Sequence, residues 1–326
     1  MVALFKQNTI TTAAAALVLA LLVKWPLMLH APSPEAMQGF DRVFRYVVNP
    51  MHRAWTSSAW AYSLVSIIVI MLWALYVNYV AIEAKLFSRS NYFPALLVVI
   101  LSSFPLSAQL ISVPFLAHTL VFVALAKTLA LGTTAKPRRA CFDIGFLLAS
   151  AMLCYPPALV FLPFFVIFFR TLRAIRWHEI SAYVLGLLMP LYVYAAYMFS
   201  MGKISALWQA IPKALVWPPK PIAWLPLACI GAFYLFLWVY SLIRQNSSQW
   251  QPSAAANKKW TVIRWFLLPS LVGALFTAQT PGLAWMFLVS PFSLLCSLCF
   301  IHVKEKYNTF VFYFMLAAML AMVWLF

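Results

Sequence analysis

Long apolar runs, with few polar residues to interrupt them, are the dominant pattern of this chain. Residues 11–29, 58–81, 180–199, 222–242, 265–276, 284–301 and 309–326 each form such a run. A helix that crosses the hydrocarbon core of a bilayer needs about 20 mostly apolar residues, and several of these runs supply them. Outer-membrane barrels show short alternating segments instead, so that class is excluded. Two more apolar blocks, 91–126 and 141–169, are punctuated by proline: Pro105 and Pro114 in the first, Pro156 and Pro157 in the second. Proline removes a backbone donor and breaks or kinks a helix. Each block therefore reads either as one long helix or as a hairpin of two shorter ones.

Charge separates these alternatives. With both blocks as hairpins, sixteen of the 23 Lys and Arg fall on the side of the N-terminus, among them Lys127, Lys136, Arg138 and Arg139. Six fall on the other side: Arg42, Arg45, Arg53, Lys203, Lys213 and Lys220. A single crossing in each block would move the run 136–139 outside. Cytoplasmic loops carry the excess of Lys and Arg, which favours the hairpins. The expected fold is all-α: a polytopic transmembrane bundle of about 9–11 hydrophobic segments, some broken, with a cytoplasmic N-terminus. The whole of 1–326 reads as one integral membrane domain of the bacterial inner membrane. The N-terminal stretch has an early Lys and an apolar core like a secretory signal. Its run continues past Lys24, and no small-x-small cleavage site free of proline follows, so it reads as an uncleaved first span.

Composition fits this picture. The chain is 65% hydrophobic and only 9% charged, whereas a soluble domain is about a quarter charged. The net charge of +17 would suggest nucleic acid in a soluble protein; here it reads as topology and attraction to anionic head groups. The five cysteines all lie within or at the edge of apolar segments, which implies neither a disulfide framework nor a metal site. Cys296 and Cys299 have C-x-x-C spacing but read as small buried hydrophobes.

Two outer loops are long, 30–57 and 200–221, and each holds an amphipathic stretch. Phe40, Val43, Phe44 and Val47 form an apolar stripe in the first; Ile204, Leu207, Trp208 and Ile211 form one in the second. Both read as helices lying flat at the membrane surface. The first loop carries Glu35 and Asp41, two of only six acidic residues in the chain. One chemical reading makes Asp41, and after it Glu35, a general base toward an acceptor hydroxyl. Arg42, Arg45, Arg53, Lys213 and Lys220 would then hold a phosphate. The plainer reading makes Ser33-Pro34-Glu35 a helix start and Asp41–Arg45 a surface pair.

An acid-bearing first outer loop with a flat helix, followed by short broken spans such as "NYFPALLVVILSSFPL" and "LLASAMLCYPPALVFLPFFVIFFR", resembles the C-type (GT-C) glycosyltransferases. The chain also resembles multi-span inner-membrane proteins of Bacteroidota. The first resemblance implies transfer of a sugar from a polyprenyl-phosphate donor to an outer-side acceptor; the residues themselves present no metal constellation, and no cofactor is expected beside the polyprenyl-phosphate-linked substrate. Two other functions stand beside it: a non-catalytic subunit of a membrane assembly, and a transporter or flippase for a lipid-linked or anionic solute. The bilayer is the one partner the sequence names, and nucleic acid is excluded.

Three further polar residues draw expectations. Lys24, near the outer end of its span, reads as a snorkelling side chain before a cleft-lining cation. His118, inside a span, reads as a hydrogen-bonded structural residue before a proton relay. Asp143 is expected to cap a helix or pair with Arg139. The segment 244–260 reads as a cytoplasmic linker, its polar part 245–257 without visible chemistry.

Overall fold

The computed structural model describes residues 59–87, 91–103, 113–202, 253–275 and 286–301, together with positions 18, 21, 22, 24, 239, 310, 313, 314 and 317. The regular structure among them is helical. Eight helices follow in chain order: α1 Ala59–Glu83, α2 Phe93–Ser102, α3 Val113–Leu129, α4 Pro137–Cys154, α5 Phe161–Leu172, α6 Trp177–Ser200, α7 Ala254–Leu275 and α8 Met286–Ile301. A 3-10 turn, Pro156–Val160, joins α4 to α5.

Local chemistry sets many of these boundaries. α1 ends in a Schellman motif: Leu86 N–H donates to Ala81 O and Lys85 N–H to Ile82 O, with Lys85 in the left-handed region at φ 50°. Asn91 Oδ1 accepts the Phe93 N–H at 3.2 Å where α2 begins, and Pro94 occupies its first turn. Pro137 starts α4. Tyr155 is extended, at φ −143° and ψ 99°, and Pro156 follows it without an N–H to continue the helix.

Both proline-punctuated blocks are thus two helices each: α2 with α3, and α4 with α5. The contacts give their directions. Trp73 and Tyr76 of α1 both meet Phe122 of α3, and Trp73 also meets Phe115, so those two helices run the same way. Lys127, near the end of α3, bonds Asp143, near the start of α4. Phe161 packs beside Gly273, and Phe165 and Phe168 pack on Phe266, so α5 and α7 are antiparallel. Lys259 and Trp260 of α7 bond the carbonyls of Ala84 and Leu86, just past α1. Phe287 of α8 stacks on Tyr155 and Phe161. One end of the bundle therefore gathers the C-termini of α1, α3 and α5 with the N-termini of α2, α4, α6 and α7. The other end gathers the 3-10 turn and the start of α8.

The closest helix pair is α4 with α6. A Cβ at Gly145 would collide with the Tyr183 carbonyl, and one at Gly186 with the Phe142 carbonyl. Two glycines facing each other let the backbones touch, the small-residue device of membrane helix packing. The core elsewhere is aromatic, with Phe161, Phe165, Phe168 and Phe266 all buried.

Among the described residues, two helices, Ser63–Glu83 and Trp177–Ser200, are long and apolar enough to cross a membrane. α2 has 10 residues and α5 has 12, or about 15 and 18 Å at 1.5 Å per residue. α6 shows an apolar face to its surroundings, including Leu185, Leu188, Tyr192, Val193 and Phe199. Trp177 at its start is 82% exposed.

One expected boundary moves. Residues 254–260, read as part of the linker 244–260, belong to α7. Ser253 Oγ accepts the Ala256 N–H at 3.2 Å as an N-cap, and three alanines favour the helix that follows. Lys259 and Trp260 then anchor this first part of α7 to the turn after α1.

Candidate functional site

None of the residues proposed for chemistry from sequence falls in the described part of the chain. Asp41 and Glu35 lie outside the described residues, as do Arg42, Arg45, Arg53, Lys213 and Lys220. So do both amphipathic stretches of the outer loops. The described bundle instead provides two ends of opposite character, and these frame any site built on it.

The first end is basic. Lys85, Lys127, Lys136, Arg138, Arg139, Arg170, Arg173, Arg176, Lys258 and Lys259 all gather there, and Arg264 lies one to two turns further into α7. Two acids of this end are engaged in ion pairs. Lys127 Nζ meets Asp143 Oδ2 at 2.8 Å with both side chains partly exposed. Asp143 thus pairs across the α3–α4 hairpin and not with Arg139: Lys127 arrives from the antiparallel helix beside it, whereas Arg139 is on its own helix.

Arg173 Nη2 meets Glu179 Oε1 at 2.8 Å, and here the carboxylate is 4% exposed against 28% for the guanidinium. Glu179 Oε2 also accepts the Arg176 N–H at 3.3 Å, at the positive end of α6. One carboxylate therefore closes the α5–α6 turn and starts α6. Lys259 Nζ donates to Ala84 O at 2.8 Å, neutralising the carbonyl end of α1. Burial first, and then the nearby Lys85 charge, lower the Lys259 ammonium below the ordinary lysine range.

Apart from Lys24 of the first apolar run, the second end has no Lys, Arg, Asp or Glu among its described residues. Its polar contacts are hydroxyls and one imidazole. Ser102 and Ser103 both donate to Val99 O, at 3.0 and 2.8 Å, as α2 stops. Ser293 Oγ donates to Ser290 O at 2.7 Å, beside Pro291 in the interior of α8.

His118 Nε2 and Ser290 Oγ lie 2.8 Å apart and tie α3 to α8. Edge-on rings of Trp73 and Phe287, each 5.4 Å away by centroid, enclose the imidazole. His118 Nδ1 has no hydrogen-bond partner among the described residues. This is the hydrogen-bonded structural histidine expected from sequence. Both side chains are buried, and the pair ties α3 to α8 as a clamp between helices.

Lys24 departs from expectation. Its side chain is fully buried, and Nζ has no hydrogen-bond partner among the described residues. It does not snorkel. Cys141, Cys154 and Cys296 are buried, as expected of small hydrophobes in apolar segments. No group of three or more His, Cys, Asp or Glu among the described residues could hold a metal ion.

Sequence reading missed the Glu179 and Lys259 contacts, though part of the signal was present. Glu179 stands three residues after Arg176, the spacing at which a carboxylate reaches back to the start of a helix.

No curated protein and no solved structure matches the chain. One family model does, over residues 46–325, which leaves Glu35, Asp41, Arg42 and Arg45 ahead of the matched region and takes in Arg53, Lys213 and Lys220. With most of its length inside that match, the chain belongs to the family of unknown function DUF6427.

Proposed function

We propose that the protein is a multi-pass protein of the bacterial inner membrane, its basic end in the cytoplasm, and that it transfers a sugar from a polyprenyl-phosphate donor to an outer-side acceptor. The observation that supports the membrane reading is the separation of charge in a helical bundle with an apolar exterior. A soluble bundle gains nothing from gathering its cations at one end, whereas a membrane protein is sorted by them.

The same separation narrows the chemistry. Of the six acids, Glu83, Asp143 and Glu179 belong to the basic end, and Glu305, between Lys304 and Lys306, is read from sequence on that same side. Glu35 and Asp41 are the carboxylates that this topology leaves for the outer face. A general base for transfer on that side is therefore Asp41 or Glu35. Arg42, Arg45, Arg53, Lys213 and Lys220 are the cations available there for the donor phosphate.

The test is turnover of polyprenyl-phosphate sugars in membranes holding the wild type, Asp41→Asn or Glu35→Gln. General-base participation contributes about 10²–10⁴ in rate, so the Asp41 change should remove most turnover while expression and insertion persist. Full function in both variants would end the catalytic reading. It would advance the second one, a non-catalytic assembly subunit, which the exposed apolar face of α6 favours as a surface for another membrane helix. A proton-coupled transporter ranks below both. Such proteins place acids within their spans, and Asp143 and Glu179, the acids nearest the span interiors among the described residues, are committed to ion pairs.

A further inference from the structure

Lys24 is the one described cation that the basic end does not account for. Val18, Leu21 and Leu22 precede it in the first apolar run, and all three are exposed. Spaced i, i+3 and i+4, they form the outward stripe of a helix. At 100° per residue, Lys24 projects about a third of a turn off the centre of that stripe. Its side chain is fully buried, with no hydrogen-bond partner for Nζ among the described residues. A long flexible stem near the end of a span ordinarily carries its ammonium to the interface. Here it is turned inward, where a charge without a counter-ion is costly.

We infer that Lys24 is the cation of an anion subsite inside the bundle, and that the anion is the phosphate of a ligand admitted from the bilayer. A phosphate satisfies an ammonium with several acceptor oxygens at once. A phosphate-bearing lipid can also reach a residue that bulk water does not. The inference rests on the polyprenyl-phosphate reading above and extends it inward, from the loop cations to a residue of the first span. Two kinds of source share the chemistry, a phosphate on a lipid chain and free phosphate.

The experiment uses the full chain in a nonionic detergent. Binding of a short-chain polyprenyl phosphate, the matching polyprenol and inorganic phosphate is compared for wild type, Lys24→Met and Lys24→Arg. Polyprenyl phosphate should bind wild type at least about tenfold more tightly than the polyprenol, and Lys24→Met should lose about that factor while Lys24→Arg keeps most of it. Competition by inorganic phosphate would keep the subsite and assign it to free phosphate.

Equal binding to Lys24→Met and wild type overturns the inference. So does equal binding of phosphate and alcohol to wild type, the result expected if Glu35 or Asp41 already supplies the counter-ion. If Lys24→Met fails to fold, Lys24→Gln takes its place: loss of the phosphate preference in that variant supports the subsite, and an unchanged preference overturns it. Phosphate-dependent binding that Lys24→Met loses, without sugar turnover, would retain Lys24's role and sink the transferase reading, so the two failures are distinct.

Discussion

The two ends of this bundle solve one problem by different means. Wherever a helix stops, backbone groups lose their partners. At the basic end, charged side chains satisfy them: Lys259 on the carbonyl of Ala84, and Glu179 on the N–H of Arg176. At the uncharged end, short hydroxyls do so: Ser102 and Ser103 on Val99 O, where α2 stops. Inter-helix ties follow the same division, with ion pairs at one end and the His118–Ser290 contact at the other. The difference shows that helix breaks are tolerated at both ends, while cations are kept to one. That division supports the proposed topology, in which the two ends face opposite sides of a membrane.

Substitutions that upset this division should differ in size. The largest effect belongs to Glu179→Ala. It strands the Arg173 guanidinium and removes the acceptor at the start of α6. Removing one partner of a largely buried pair should cost on the order of 2–4 kcal/mol, read as a lower thermal midpoint in detergent. A matching midpoint for Glu179→Ala and wild type would mean that the basic end is held together by apolar packing alone.

At the other end, Ser290→Ala takes away the partner of His118 Nε2 and leaves the imidazole with no described contact on either nitrogen. The expected loss is about 1–3 kcal/mol. Ser290→Thr keeps the hydroxyl and should recover part of it. Trp260→Phe keeps the ring and removes the indole donor to Leu86 O, so a loss of about 1 kcal/mol is expected. Smallest is Asp143→Asn, at under about 1 kcal/mol, because its pair with Lys127 is partly exposed. An Asp143 effect larger than that of Glu179 would reverse the order that burial predicts.

The bundle was largely legible in the sequence because its signals are long-range and redundant. Apolar runs gave the helices, and proline with charge placement resolved the blocks 91–126 and 141–169 into pairs. The start of α7 was not legible. Ser253 and the alanines after it are ordinary linker residues until Lys259 and Trp260 find the turn after α1. Lys127, not Arg139, pairs with Asp143 because antiparallel packing brings together residues sixteen apart in sequence. Burial of Lys24 was equally hidden, since the sequence alone fixes neither the rotation of a helix nor the face that meets the bundle. Asp41, Glu35 and the loop cations, named from charge placement in the sequence, lie outside the described residues.

The central claim is that the two ends face opposite sides of the membrane. With the five native cysteines replaced, single cysteines at Lys136 and Gly202 would be probed with an impermeant thiol reagent on intact spheroplasts. Position 202 should react at once, and position 136 only after the membrane is permeabilised. Reaction at 136 in intact spheroplasts, or reaction of both positions from the same side, would contradict the account.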